Sequence, residues 1–277
     1  ALGNASDFEW TNKTIMYGAY VRTHSPFQNS DMMALGPPSP EEVALLEPFR
    51  GKVPDEVFGQ PFVPPVSDGS GQDRTLLRKA VQLLQEAGCV MKDGKRMTPQ
   101  GEAFRIEFLL DEPAFQAHHM PFIKNLGTLG IEATLRLVDP VQFRARRDDF
   151  DFDMIIERFG FSTVPGDSLR PYFSSWAAGT KGSNNLAGIS DPAIDAMVEQ
   201  LIAADTRPKL VFAARALDRI IRAGRYWVPQ WYANTHRLAY WDLFGHPQKL
   251  PRYANGVGAP DIWWSDRAKA AKLEQAK

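Results

Sequence analysis

The chain has 277 residues, of which 44% are hydrophobic, so it is long enough for one large domain or two of ordinary size. Lysine and arginine total 32 against 33 aspartate and glutamate residues, and this balance excludes the broad basic surface that holds nucleic acid or an anionic membrane. The single cysteine, Cys89, excludes an internal disulfide and is expected to be a small buried hydrophobic residue.

The first part of the chain predicts helix and then a long irregular segment. A helix is expected from Asp7 to about Tyr17, with Gly18 as its stop. Between residues 36 and 71 eight prolines remove backbone donors and prevent long regular elements, apart from a short helix over Glu41–Glu47. This segment could be a domain linker, but its interleaved apolar residues favour a loop packed on a surface.

The middle of the chain alternates between helical and strand patterns. A helix over Leu76–Ala87 is stopped by Gly88, and Asp93-Gly94 predicts a hairpin turn. The elements that follow are a strand at Phe104–Phe108, a helix ending at Gly130, a strand at Ile131–Val138, a short helix after Asp139-Pro140 and a strand at Phe152–Ile156. Strands and helices in this order predict an α/β fold with a mixed, partly parallel sheet flanked by helices.

The last part predicts two strong amphipathic helices. The first begins after Asp191 with Pro192 at its first position, and the second begins near Pro208 and ends at Gly224. An apolar strand is expected from about Trp227, and a solvated terminal helix from Ala268. Neither a stretch of roughly 18 apolar residues nor a signal-peptide pattern at Ala1–Asn4 is found, so we expect no targeting segment within this sequence.

Motifs for common chemistries are missing from the sequence. His118 and His119 are adjacent on a helix and point about 100° apart, which favours surface histidines over a metal site. Asp151 and Asp153 share one face of a strand, where structural hydrogen bonding is a better interpretation than acid/base chemistry. No zinc, nucleophile-elbow or phosphate-loop motif occurs, so we expect no metal, no cofactor and no enzyme activity.

A loop rich in glycine, serine, asparagine and proline carries the strongest indication of a binding site. It contains several aromatic residues, and others follow near Trp231; some are expected to pack in the core, but a few should line a ligand groove. Arg158 and Arg170 could supply bidentate donors to that groove, or could form ordinary surface ion pairs. The predicted ligand-binding residues are Arg158, Phe159, Phe161, Trp176, Asn184, Asn185, Trp231 and Tyr232.

Four groups of residues resemble the extracellular solute-binding proteins of family 5. They are Asp151–Met154, the loop from Pro165-Gly166-Asp167 to Tyr172-Phe173, Asn184–Gly188 leading to Asp191–Asp195, and Val228-Pro229. Within the family the chain is most similar to the peptide-binding branch associated with microcin C uptake. That likeness rests on segments such as Asp7–Trp10, Val228–Trp231 and Tyr240–Gly245.

The resemblance implies the C-terminal lobe of a two-lobed clamshell, because proteins of this family are much longer than this chain. Residues 1–240 would form the ligand-binding lobe, and residues 241–277 would return to the other lobe. The implied function is to bind a peptide-like solute and deliver it to the permease subunits of an ABC importer. The implied location is the periplasm or the outer face of the membrane, with membrane contact only through the permease or a lipid anchor.

One position departs from the family pattern. Oligopeptide and dipeptide receptors of the family usually anchor the amino terminus of the peptide with an aspartate after the Asp-x-Asp strand, and the matching position here lies near Phe161. Because Gly160-Phe161-Ser162 offers no carboxylate, we expect aromatic stacking and polar contacts instead. A peptide-acting hydrolase and a sugar-binding receptor are the alternative functions.

Overall fold

The computed structural model describes residues 1–249 and 261–275. The chain divides into two compact units, Ala1–Trp231 and Tyr232–Lys277. The predicted domain boundary at residue 241 therefore lies inside the second unit, and the return of residues 241–277 to another lobe stays a prediction.

The first unit contains eight α-helices among its described residues. They are α1 (Phe8–Thr14), α2 (Pro40–Leu46), α3 (Arg74–Glu86), α4 (Gln116–Thr128), α5 (Pro140–Asp148), the single-turn α6 (Arg170–Phe173), α7 (Pro192–Ile202) and α8 (Arg207–Gly224). Its strands are β1 (Val21–Arg22), β2 (Val90–Lys92), β3 (Lys95–Met97), β4 (Arg105–Leu110), β5 (Glu132–Leu137), β6 (Met154–Ile155) and β7 (Trp231–Tyr232), the last of which spans the boundary between the units. The predicted elements lie close to these, except that β7 begins at Trp231 rather than near Trp227, and neither β1 nor α6 was predicted.

A parallel three-stranded sheet organises one half of this unit. Its order is β5-β4-β6, so β4 is central, and α4 and α5 connect the strands. Phe108 of β4 pairs with Leu135 on one side and Met154 on the other. α4 packs on the sheet through Phe122, whose ring meets Phe108 edge-on at 5.4 Å between centroids. Cys89 is buried in the same core, as predicted.

The hairpin β2–β3 shows how local sequence determines one connection. Its two central residues, Asp93 and Gly94, have φ values of 50° and 77°. Both lie in the left-handed region that a type I′ turn requires, which an Asp-Gly pair tolerates well.

The helices α7 and α8 form the other half, together with the proline-rich segment. Val53 and Val57 of that segment are buried in the same hydrophobic core as the two helices. Its carbonyl groups are satisfied by buried arginines of α8: Arg219 donates to Gly59 and Gly36, each at 2.9 Å, and Arg222 donates to Phe62 at 2.7 Å. These bonds replace the regular ladder that proline prevents, so the segment packs as a loop.

The second unit is small. It contains the antiparallel pair β8 (Phe244–Gly245) and β9 (Trp264–Ser265), followed by α9 (Arg267–Gln275). The rings of Tyr240, Phe244 and His246 surround Trp263, with the closest centroid distance, 4.8 Å, to Tyr240. The predicted terminal helix extends to Lys277, and its last two residues lie outside the described part.

Candidate functional site

The candidate site lies where two neighbouring parallel strands end. β4 is followed by residues 111–115 and β6 by residues 156–161, so both segments leave the same edge of the sheet. In open α/β sheets, ligands bind in the crevice beyond the carboxyl ends of the strands. This edge is therefore the first place to search for binding groups.

A buried arginine of α5 fixes the segment after β6. Arg147 donates from Nε to Glu157 Oε2 at 2.9 Å and from Nη2 to Asn184 Oδ1 at 2.7 Å. The other oxygen of Glu157 accepts a bond from the backbone N–H of Arg158 at 3.0 Å. One guanidinium thus joins α5, the 156–161 segment and the loop before α7, and holds Arg158 at the edge of the sheet.

Six aromatic side chains form what we call the inner aromatic cluster: Phe27, Phe159, Phe161, Tyr172, Phe173 and Trp227. Phe161 lies 5.1 Å from Tyr172 and 5.8 Å from Phe27 between centroids, and Phe159 stacks on Trp227 at 5.1 Å. Phe161, Tyr172 and Trp227 pack against the core of α7 and α8, to which Phe27 and Phe173 belong. These contacts mainly support the fold.

Four other rings form what we call the outer aromatic strip: Tyr20, Phe115, His118 and Trp231. His118 lies between Trp231 and Phe115, with centroids 5.5 and 5.6 Å away, and Trp231 meets Tyr20 at 6.2 Å. All four rings are half-buried and lie outside the two hydrophobic cores. A row of partly open rings offers flat surfaces to an organic solute.

Arg158 completes the strip with a cation. Its guanidinium carbon lies 5.3 Å from the centroid of Phe115, and its side chain is 74% exposed. Its Nη2 is 3.5 Å from Glu112 Oε2, a loose and exposed ion pair that a solute group could replace at small cost.

The structure separates the predicted site residues. Arg158 and Trp231 belong to the outer strip, whereas Phe159 and Phe161 belong to the inner cluster. Trp176 is 56% exposed but has no ring contact with either group among the described residues. Tyr232 is half-buried and belongs to the second unit.

The two predicted asparagines have different surroundings. Asn185 is 1% exposed, and its amide donates to Ser174 O at 3.1 Å and to Ile189 O at 2.8 Å while accepting from Ile189 N at 2.8 Å. This geometry gives Asn185 a supporting role in the loop rather than the direct solute contact expected of it. Asn184 is half-buried, and within the part of the chain that the structure describes its side chain is bonded only through its oxygen, which accepts from Arg147. Its amide nitrogen can therefore donate to a solute.

Other polar candidates have structural partners. Arg170 bonds Glu199 through Nη2 at 2.6 Å and Asp167 through Nη1 at 2.5 Å, which is the surface ion pair foreseen as its alternative. This contact lowers the pKa of the Glu199 carboxyl. Asp153 accepts from Glu107 N at 2.8 Å and Asp151 pairs with Arg146, as their structural interpretation predicts.

The histidines of α4 face different surroundings. His118 lies in the outer strip, whereas His119 meets Phe108 of the sheet core at 5.6 Å between centroids and contacts Phe115 O through Nδ1 at 2.7 Å. Burial lowers the pKa of His119. Within residues 1–249 and 261–275, no group of three or more histidine, cysteine or acidic side chains is arranged to hold a metal ion. None of the helices described there combines the length and apolarity needed to span a membrane.

Sequence reasoning missed Tyr20, Phe115 and His118. Phe115 and His118 lie three residues apart between the strand predicted at Phe104–Phe108 and the helix predicted to end at Gly130, and that spacing places two rings on one side of a helical turn. The signal was present, but only the fold shows that Trp231 packs against it.

Solved structures define the class of the fold. The oligopeptide-binding protein AppA of Bacillus subtilis, in complex with a nonapeptide, has a TM-score of 0.63 and 14% identity, over 96% of this chain and 46% of that one. NikZ of Campylobacter jejuni, in complex with Ni(L-His), has a TM-score of 0.60 and 13% identity, over 84% and 40%. The chain has the α/β fold of a periplasmic-binding-protein clamshell lobe.

Residues 1–181 match the family described as bacterial extracellular solute-binding proteins, family 5 Middle, and the chain belongs to this family. It is 41% identical over 270 residues to the probable peptide-binding protein YejA of Agrobacterium fabrum, covering 97% of this chain and 44% of that protein. It is 34% identical over 269 residues to the peptidoglycan-binding protein YepA of the same organism, covering 97% and 43%. The chain thus spans less than half the length of these curated relatives. Its place in the microcin C branch stays a prediction.

Proposed function

We propose that the chain belongs to the substrate-binding component of an ABC importer, which binds peptides or peptide-like solutes and delivers them to a membrane permease. The outer aromatic strip at the carboxyl edge of the sheet carries this proposal. Its rings suit peptide planes and apolar side chains, while Arg158 and the amide of Asn184 offer donors to carbonyl or carboxylate oxygens.

The relatives support the same class of solute. One is named a probable peptide-binding protein and another a peptidoglycan-binding protein, and AppA was solved with a nonapeptide. The receptor would act in the periplasm or be anchored outside the membrane, with the permease subunits as its partners. Domain closure around the solute, rather than a chemical step, would be the functional event.

A sugar-binding receptor is the second candidate, because partly open rings also stack on pyranose faces. An oligopeptide-binding protein of Thermotoga maritima with a TM-score of 0.56 was solved with mannohexaose. A peptide hydrolase is the third candidate, although the family to which this chain belongs is one of binding proteins.

Equilibrium dialysis of the full-length protein against a pool of random tetrapeptides tests the proposal. Mass spectrometry would measure the peptides retained and any cleavage products, with and without a mixture of oligosaccharides as competitor. We expect saturable retention, no cleavage and no competition. Cleavage would establish the hydrolase, and displacement by oligosaccharides would establish the sugar receptor.

Two tryptophan variants locate the site. Trp231→Ala should raise the pool concentration needed for half-saturation roughly 10-fold, because it removes the ring that contacts both Tyr20 and His118 in the outer strip. Trp176→Ala is the matched control, since Trp176 is exposed but lies outside the strip. Equal losses in both variants would contradict the assignment of the site to the strip. Trp176 remains a predicted ligand residue until that measurement is made, and Tyr232 stays a prediction.

A further inference from the structure

Tyr17 lies in a backbone conformation that side chains rarely adopt. Two residues after Ile15, which caps α1, its φ is 55°, and the next residue, Gly18, has a φ of 70°. Glycine and asparagine occupy the left-handed region far more readily than a tyrosine does. Strained residues of this kind cluster at functional sites.

A network centred on Asn12 holds this turn in place. Its carbonyl accepts from Gly18 N at 2.8 Å, and its side chain donates to Tyr20 O at 2.9 Å and accepts from Tyr20 N at 3.2 Å. The turn is therefore fixed from both sides, and the strain at Tyr17 persists because its neighbours determine the path of the chain.

The ring of Tyr17 has no role within the described fold. Its side chain is 91% exposed, the highest value among the large hydrophobic residues, and it has no ring contact or side-chain hydrogen bond among the described residues. Core packing therefore does not account for a large aromatic side chain at this position. An outward-facing contact would.

The position of Tyr17 indicates what that contact is. Tyr20, three residues later, belongs to the outer strip through Trp231. Three residues span at most about 11 Å, so the Cα atom of Tyr17 lies within that distance of the Cα atom of Tyr20, at one end of the strip. An exposed tyrosine at that distance offers a flat face and a hydroxyl to a solute that extends past the end of the strip.

We propose that Tyr17 is a further solute-contacting residue that extends the outer strip and packs on a planar, neutral group of the solute, such as a peptide bond or an aromatic side chain. This inference rests on the proposed function, because the solute it contacts is the one that the receptor carries. The proposal assigns the ring of Tyr17 to solute binding rather than to folding. A residue that adopts the left-handed backbone conformation more readily would stabilise the turn better than tyrosine does.

Substitutions at Tyr17 in the full-length protein test this separation. Tyr17→Asn removes the ring and favours the left-handed conformation, and Tyr17→Phe keeps the ring as the matched control. With the random tetrapeptide pool, Tyr17→Asn should raise the half-saturating concentration roughly 3- to 10-fold. Tyr17→Phe should stay within about twofold of the wild type, because the ring face remains. The melting temperature of Tyr17→Asn without peptide should equal or exceed that of the wild type.

Each alternative outcome has a distinct meaning. Retention by Tyr17→Asn equal to the wild type, alongside a loss in Trp231→Ala, would overturn the role of Tyr17 and leave the proposed function standing. A lower melting temperature for Tyr17→Asn would show that the ring packs against the protein itself, which also overturns it. Failure of the wild-type protein to retain any peptide would remove the proposed function, and the inference with it.

Discussion

The inner aromatic cluster and the outer aromatic strip are built from the same kinds of residue but serve different ends. Phe173 of the inner cluster is 0% exposed and lies 5.5 Å from Phe161 and 6.0 Å from Trp227 between ring centroids. Phe161, Tyr172 and Trp227 of the inner cluster are half-buried like the rings of the outer strip, but they pack against the core of α7 and α8, whereas no ring of the strip does. Aromatic content alone therefore does not mark a binding site, because the surroundings decide whether a ring supports the fold or faces a solute.

Removing a ring from the inner cluster should have the largest effect on stability. Phe173→Ala should lower the free energy of unfolding by about 3–5 kcal/mol, because the cavity remains within a packed core. Urea denaturation of the intact protein measures this loss. Phe173→Leu, which keeps most of the apolar volume, is the control and should lose less. A loss no greater for Phe173→Ala than for Trp231→Ala would erase the distinction between cluster and strip.

The adjacent asparagines sharpen the same comparison with a smaller effect. Asn185→Ala should cost about 2–3 kcal/mol of unfolding free energy, because the buried carbonyls of Ser174 and Ile189 lose their donor. Asn184→Ala, which removes one partner of Arg147, should cost about 1 kcal/mol and instead weaken solute binding. A larger loss of unfolding free energy in Asn184→Ala and a larger loss of peptide retention in Asn185→Ala would show that Asn184 supports the loop and Asn185 contacts the solute.

Local sequence predicted the elements well where a short-range signal determined them. Asp191 caps α7 by accepting from Ala193 N at 2.8 Å, and Asp93-Gly94 forms its turn. The strand expected near Trp227 was wrong in position, because Trp227 stacks on Phe159 and packs against the helical core before the chain reaches β7. Propensity for a strand was overridden there by tertiary packing.

The site was harder to predict than the fold because its parts are distant in sequence. Trp231 meets Tyr20 and His118, which come from separate segments, and no spacing rule relates them. Asn184 and Asn185 are chemically identical, and only the path of the loop places one at the surface and the other inside. The sequence therefore indicated the right loop, while the division between support and binding depends on tertiary contacts.

The adjacent histidines of α4 allow a residue of the outer strip, His118, to be compared with one packed against the sheet core, His119, by changing the pH. Burial holds the folded-state pKa of His119 below its ordinary value of 6.5, so the unfolded chain binds a proton more readily. The contribution of neutral, buried His119 to the free energy of unfolding is complete above pH 6.5 and is lost as the pH falls below that value. His119→Gln should therefore lose less stability than the wild type between neutral and mildly acidic pH, as measured by thermal melts.

Other groups also titrate in that range, so the difference between His119→Gln and the wild type is the quantity to compare. His118→Gln serves as the control for removing an imidazole from the same helix, and its main effect should be on solute binding because His118 belongs to the strip. If the melting temperature fell equally with pH in His119→Gln and the wild type, burial of His119 would not contribute to the pH dependence of stability.

The smallest effect on stability is expected at Arg170, whose side chain pairs with exposed carboxylates and contacts neither aromatic group among the described residues. Arg170→Met breaks exposed ion pairs with Glu199 and Asp167, so it should change the unfolding free energy by about 1 kcal/mol or less and leave peptide retention unchanged. Arg158→Met is its counterpart in the outer strip. It should change stability equally little but weaken retention of the peptide pool roughly 5- to 10-fold, because Arg158 is the cation that lies over Phe115. Comparable losses of retention in the two variants would mean that the aromatic surroundings of Arg158 do not distinguish it from an ordinary surface arginine, and the boundaries of the strip would have to be redrawn.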